Sequence, residues 1–321
     1  MSLDLRPLTL GELLDRSFSL YRRHFWLFVG IMALPSLLAL AFGVVVAIAS
    51  PQPVSPESMA ANDVNPAEVI GGVVWFVVVI IGMAAVYFTT YAVALGATTV
   101  AVSELYLGRP ITIRAAYTPM RGKVGRLALL LVLISLRMFV ALFLMLIVAF
   151  VSGVVGAFAA PILAPLFVIG AFMAAAAVWV WMMIRYAVAV PAVVLEEETP
   201  SAAIRRSIEL TSGNLLRVFA LLAFTMVITY AVLAIFQGPF VFAGIVAGPE
   251  SSTAFWLNLA GTITGSIGGA FTGPLMIVAF AVLYYDLRVR KEGLDLQVML
   301  ANLNAVPPAA GTAATSAPLP G

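Results

Sequence analysis

The sequence predicts an all-α integral membrane bundle: six transmembrane helices in three helical hairpins, each preceded by a cytoplasmic amphipathic segment. Three observations carry this reading. Hydrophobic residues make up 63% of the 321 and charged residues only 10%, against about 25% charged in soluble domains, so the apolar excess requires lipid. Six apolar runs each reach the length of about 20 residues that crosses a hydrocarbon core of about 30 Å. Lys and Arg in successive segments between those runs number 4, 0, 5, 0, 4, 0 and 3. Basic loops stay on the cytoplasmic side, so both termini are expected in the cytoplasm of a multi-pass protein. The Ala/Gly/Val-rich composition suggests a bacterial cell membrane.

The elements follow in order. Residues 9–25 open with a capping box, Thr9 and Glu12. Leu10, Leu14, Phe18, Tyr21 and Phe25 share one helical face opposite most of the charges, which suits a helix lying in the membrane interface. A first span is expected over 26–50, kinked at Pro35, followed by a polar, proline-rich loop over 51–68. The second apolar run, 69–103, is roughly 50 Å long as a helix. It must therefore tilt, break near Gly96 or project into the cytosol. In the basic linker 105–126, Pro119 and Gly122 favour two short pieces over one helix. The third span is expected over 127–151, with a tight turn at 153–161, and the fourth over 162–195. Glu196, Glu197 and Glu198 read as a solvated turn before Thr199, a good N-cap, and Pro200, a good first helical residue. The fifth span, 215–236, extends irregularly through Pro239, and the sixth runs 254–286. The tail 305–321, rich in Ala, Pro, Gly, Ser and Thr, has too few large apolar residues to fold and is expected to be disordered.

The amphipathic segments start near Thr9, Thr112 and Thr199. The string YAVALGA (91–97) also recurs as YAVAVPA (186–192), identical at five of seven positions. We therefore expect one membrane domain over 1–300, built of repeats at about 9–104, 112–198 and 199–290.

Composition also excludes functions. There is no cysteine and one histidine, so no disulfide framework, thiol nucleophile or multi-histidine metal site is expected. No serine-hydrolase, zinc-protease or P-loop pattern occurs. We expect no catalytic residue, metal or cofactor. The short, membrane-tied basic linkers do not suggest nucleic-acid binding.

One basic residue of the 17 falls outside the seven connecting segments: Arg137. It lies 11 residues beyond Arg126, about 16 Å along a helix. A charge inside a membrane costs at least about 2.5–3.5 kcal/mol and usually faces the bundle interior. Arg185 lies 11 residues before Glu196, so the two guanidinium groups are expected at similar depth. Tyr91 and Tyr186 complete the candidate anion- or lipid-binding set. Glu104 and Asp286 are the nearest acids, and Thr89, Thr90, Asn258, Tyr284 and Tyr285 offer further polar partners. Two readings stand: a site for an anion such as a phospholipid headgroup, for which the planar arginine fork is suited, or an arginine that pins helices by bonding carbonyls and hydroxyls. Gly261, Gly265, Gly269 and Gly273 form a stripe on which another helix can pack closely, or a gate ending at Pro274.

Four stretches carry a family likeness: RPLTLGELLDRSFSLYRRHF (6–25), YYDLRVRKEGLDLQ (284–297), LGRP (107–110) and PAVVLE (191–196). Over about residues 5–300 the chain resembles a bacterial family of six-span proteins described as having the glycerophosphoryl diester phosphodiesterase membrane domain. The resemblance implies a six-span fold. In some relatives the domain is fused to a soluble phosphodiesterase, but the carboxylates and histidines of that enzyme have no counterparts here, so no catalytic residue carries over. The expected function is a non-enzymatic membrane component that accommodates lipid or scaffolds a membrane partner, or that pairs with a second copy of itself. The alternative is a small transporter or permease for an anionic or amphipathic solute, with Arg137 in the pathway.

Overall fold

A computed structural model describes residues 6–49, 66–159, 164–248 and 251–293. The tail expected at 305–321 and most of the loop expected at 51–68 lie outside the described residues. Within them the chain is helical: α1 (Leu10–Arg23), α2 (Phe25–Ala49), α3 (Pro66–Tyr106), α4 (Ile113–Tyr117) with a 3-10 turn over Thr118–Met120, α5 (Val124–Ala159), α6 (Ala164–Tyr186), α7 (Ala189–Leu195), α8 (Pro200–Thr211), α9 (Leu215–Ala247) and α10 (Ser252–Glu292). Six apolar spans result, from α2, α3, α5, α6 with α7, α9 and α10.

The caps form for local reasons. Thr9 accepts from the Glu12 amide while Glu12 returns the bond to the Thr9 backbone, closing the capping box. Thr112 and Thr199 cap α4 and α8 in the same way, each accepting from the amide three residues on. The linker 105–126 does form two short pieces, α4 and the 3-10 turn.

The spans are longer and more regular than expected. α3 runs 41 residues without a break at Gly96. A Cβ placed on Gly96 would lie 2.5 Å from Met120 Sδ and 2.8 Å from Leu127 Cδ1, so this glycine serves a close approach and the helix continues through it. α5 continues to Ala159 in place of the turn expected at 153–161. Gly153 there sits against Val168, 3.1 Å from a built Cβ, and lets the α5–α6 hairpin close. α9 carries Pro239 inside an unbroken helix to Ala247.

The fourth span, by contrast, breaks between Tyr186 and Ala189. Pro191 has no amide to donate to the carbonyl four residues back, and its ring crowds that carbonyl. Ser207 repairs the break from α8: its hydroxyl donates to the Arg185 carbonyl at 2.8 Å and accepts from the Val188 amide at 3.3 Å. The two copies of the seven-residue string thus diverge where Gly96 is exchanged for Pro191.

α10 is the central element, packed against α9, α2, α1, α3, α8 and α7. Its apolar window is 56% buried, against at most 22% for the other five spans. Burial divides the bundle along its length. One end, here called basal, holds the continuous core: Phe28 and Ile31 of α2, Ala92–Val102 of α3, Leu127 and Leu130 of α5, Val193 of α7, Leu221 of α9 and Val278–Leu287 of α10. The other half exposes large apolar side chains, from Ile70 to Val86 on α3, Phe139 to Phe158 on α5 and Leu166 to Trp181 on α6. On α5 and α9 exposed apolar residues continue basally at Leu129, Val132, Leu216 and Phe219.

α1 packs on α10 through Leu13, Ser17 and Tyr21. Of the face expected to meet the membrane interface, Leu10 and Phe18 are exposed, and Tyr21 is buried. The contact is rotated toward Leu13 and Ser17, and Ser17 satisfies its buried hydroxyl by donating to the Leu13 carbonyl at 2.7 Å. The exposed Leu10 and Phe18 leave an apolar flank beside the bundle, continued by exposed Trp26.

Candidate functional site

Polar side chains occupy two settings, and the first is a clamp at the basal end. Asp286 is buried in α10, and its carboxylate accepts from the Leu8 amide at 2.8 Å, Arg217 Nη1 at 3.0 Å and Arg290 Nε at 3.0 Å. Arg217 and Arg290 also donate to the Leu8 carbonyl. One carboxylate and two arginines therefore hold the segment before α1 onto α9 and α10.

Two residues before Asp286, Tyr284 donates to Glu196 at 2.5 Å, and Arg206 holds the same carboxylate through Nε at 2.9 Å and Nη2 at 3.2 Å. Arg206 also pairs with Glu292, which accepts from Arg288 Nε at 2.9 Å. Burial opposes ionisation of Glu196, but the hydrogen bonds from Arg206 and Tyr284 outweigh it and hold the carboxyl below its ordinary range. Glu196 is largely buried rather than solvated, which corrects the expectation for this residue, whereas Glu197 is exposed as a solvated turn residue would be. Glu197 likewise pairs with Lys123 at 2.7 Å.

Nearly every polar member of YYDLRVRKEG has a contact of this kind. Tyr285 shares a hydrogen bond with Ser103 at 2.7 Å, Lys291 reaches the Glu209 carbonyl and Ser212, and Gly293 ends α10 at φ +60°. Gly293 thus takes the left-handed conformation that favours glycine at a helix C-terminus. The arrangement ties the segment before α1, α3, α8 and α9 to α10.

The second setting is the apolar surface. Arg137 is exposed on α5, and its side chain has no hydrogen bond or ion pair among the described residues. Its neighbours Leu136, Phe139 and Val140 are exposed as well. The expectation that Arg137 faces a bundle interior is corrected: the basal core ends near Leu130, so at Arg137 this face of α5 has no helix against it. Glu104 pairs with Arg109 at 3.7 Å and Asp286 with Arg217 and Arg290, so neither expected acid neutralises Arg137.

Arg185 is half-buried at the end of α6, with its guanidinium 5.5 Å from the Trp181 ring centroid and its buried Nε without a hydrogen-bond partner. Tyr91 stacks on Tyr87 at 5.8 Å. Among the described residues no hydrogen bond links Tyr91 or Tyr186 to either arginine. Thr89 and Thr90 bond carbonyls of their own helix.

Hairpin register relates the two arginines. From Gly153 to Arg137 is 16 residues down α5, and from the facing Val168 to Arg185 is 17 down α6. The two stand at about the same height. From each to the outer end of its helix, at Ala159 and Ala164, is about 32 Å at 1.5 Å per residue. Between these outer halves lies a cavity of about 500 Å³ lined by apolar side chains that include Leu146, Phe150, Val168 and Phe172.

The glycine stripe on α10 is a packing surface for α9. Built Cβ atoms on Gly261, Gly265 and Gly268 would lie 3.1–3.3 Å from Phe240, Gln237 and Phe236. Gly269 and Gly273, expected in the same row, face open space.

Residues 158–305 match the membrane domain of glycerophosphoryl diester phosphodiesterase. The chain resembles that family over α6 to α10, a stretch that contains the Glu196 cluster, Arg217, Asp286 and Arg185. No curated protein and no solved structure matches. Sequence reasoning passed over Gln237, the one glutamine inside an apolar run. A lone amide in such a run was the available signal.

Proposed function

We propose that this is a non-enzymatic membrane domain that holds an anionic phospholipid headgroup at Arg137 and Arg185, with both termini on the cytoplasmic side of a bacterial cell membrane. The observation that carries the reading is Arg137, an exposed guanidinium on an apolar helix face with no counter-ion among the described residues. A permanent cation there needs an anion from its surroundings, and the bilayer supplies phosphate.

Height supports the same choice. A hydrocarbon core of about 30 Å, measured from the outer ends of α5 and α6, places both arginines at its inner boundary, level with headgroups. The confinement of exposed apolar residues on α3 and α6 to the outer half fits that placement. The Lys and Arg alternation supports the orientation, and the match to a membrane domain rather than a catalytic one supports a non-enzymatic role. Outward-facing Arg137 does not favour the transporter reading, which requires the residue on an internal path.

Native mass spectrometry of protein extracted from a membrane containing phosphatidylglycerol tests the proposal. Wild type is expected to retain phosphatidylglycerol and Arg137→Leu to lose most of it, with Arg137→Lys between them because an ammonium lacks the paired donors. Equal retention by Arg137→Leu overturns the assignment.

A further inference from the structure

A second polar side chain without a partner among the described residues lies farther out than Arg137, in the outer half. Gln237 of α9 is exposed, and its amide makes no hydrogen bond among the described residues. It lies across Gly265 of α10, where a built Cβ would be 3.1 Å from Oε1. Ten residues separate it from Ala247, the end of α9, or about 15 Å, half of a hydrocarbon core of about 30 Å. At that depth there is neither water nor headgroup to satisfy it.

Arg137 needs an anion, whereas Gln237 needs a group that both donates and accepts, which is another amide. We propose that a second copy of this chain packs on the exposed side of α9, with Gln237 hydrogen-bonded to Gln237 of the partner subunit across a two-fold axis along the membrane normal.

The symmetry selects the occupant. Copies inserted in one orientation and related by such an axis put every residue at the depth of its own counterpart. A mid-depth amide is therefore met by the same mid-depth amide. The flanking surface admits close approach: Ala234 is exposed three residues before Gln237, and a Cβ on Gly238 would meet open space. Interhelical amide bonds over small residues are a recurrent mode of helix association in lipid. Tyr230 and Val241, at 64% and 42% exposure, stand on the same side of α9 and extend the contact along it. The inference does not depend on the lipid site at Arg137.

The chain has no cysteine, so Ala234→Cys, on the same exposed side of α9, supplies a unique thiol and leaves Gln237 in place. Purified protein in phosphatidylcholine vesicles at high lipid dilution is oxidised with copper phenanthroline. Ala234→Cys is expected to form a covalent homodimer at least tenfold faster than Met173→Cys, a control on α6 with 70% exposure and about 14 Å from its outer end. Equal or slower cross-linking than the control overturns the proposal. In a second measurement, Gln237→Leu is expected to weaken dimerisation about tenfold in single-molecule photobleaching of labelled protein, while Gln237→Asn retains it partly. A monomeric wild type, or a Gln237→Leu variant that dimerises as well as wild type, overturns it.

Discussion

The basal and outer halves of this bundle treat polar side chains in opposite ways. At the basal end Asp286 is buried and receives an amide and two guanidinium groups. Beyond that covered end, Arg137 at its edge and Gln237 in the outer half are exposed and receive nothing from the described chain. Both halves are built on the same helices, so the difference is not one of local structure. It follows from where neighbouring elements stop. α1, α4, α7 and α8 gather around the basal ends of the spans and supply partners there, and none of them reaches the outer half. The lesson is that a polar group in an apolar span finds protein partners where a connecting helix covers it, and that those left bare, Arg137 and Gln237, are the ones for which partners are proposed above.

The largest effect should come from breaking the covered side. Asp286→Ala leaves two guanidinium groups and the Leu8 amide without their acceptor, and a broken buried pair typically costs about 3–5 kcal/mol. A marked drop in the melting temperature of the detergent-solubilised protein is expected. An unchanged melting temperature would mean that the clamp does not hold the basal half.

Paired glycine substitutions sharpen the contrast. Gly96→Leu drives a side chain into Met120 and Leu127 and should cost about 1–3 kcal/mol by overpacking. Gly269→Leu, in the outer half with open space at its Cβ position, should stay within about 0.5 kcal/mol of wild type. Equal losses would erase the distinction between the halves.

A smaller effect is expected at Glu196. Tyr284→Phe removes one hydrogen bond to a charged acceptor and should cost about 1.5 kcal/mol. The associated pH dependence has a definite sign. The folded carboxyl ionises below its ordinary value of 4.5, so its stabilising contribution is complete above that pH and is lost as pH falls through the folded value. Stability should therefore decline on acidification below about 4.5, and Glu196→Gln should flatten that decline. A decline of the same size in Glu196→Gln would move its origin elsewhere.

The smallest effect on stability is expected at Arg137, where Arg137→Leu should change melting by no more than about 0.5 kcal/mol, since no protein contact is lost.

Apolar runs, caps and basic-loop alternation made the six spans legible in the sequence, because each is a local property of composition or spacing. The break at Ala187 and Val188 was half legible: Pro191 announces it, but the repair by Ser207 requires knowing that α8 folds back over the end of α6. The extension of α5 to Ala159 was hidden because Gly153 reads locally as a turn residue, and only Val168 opposite explains it. Asp286 was noticed as a counter-ion, yet assigned toward the wrong arginine, since charge and depth alone do not say which helices are neighbours. The outward direction of Arg137 was hidden for the same reason. Helical position gives height along a span but not which face a neighbouring helix covers.

The central claim concerns height, and a depth measurement on residue 137 tests it most directly. In the cysteine-free chain, Arg137→Cys carries a single nitroxide label, and its relative accessibility to oxygen and to a water-soluble nickel reagent reports depth in phosphatidylcholine vesicles. The account predicts a label within a few ångströms of the phosphate level, on the lipid-facing surface. A label near the bilayer centre, or one shielded from both reagents, would contradict it.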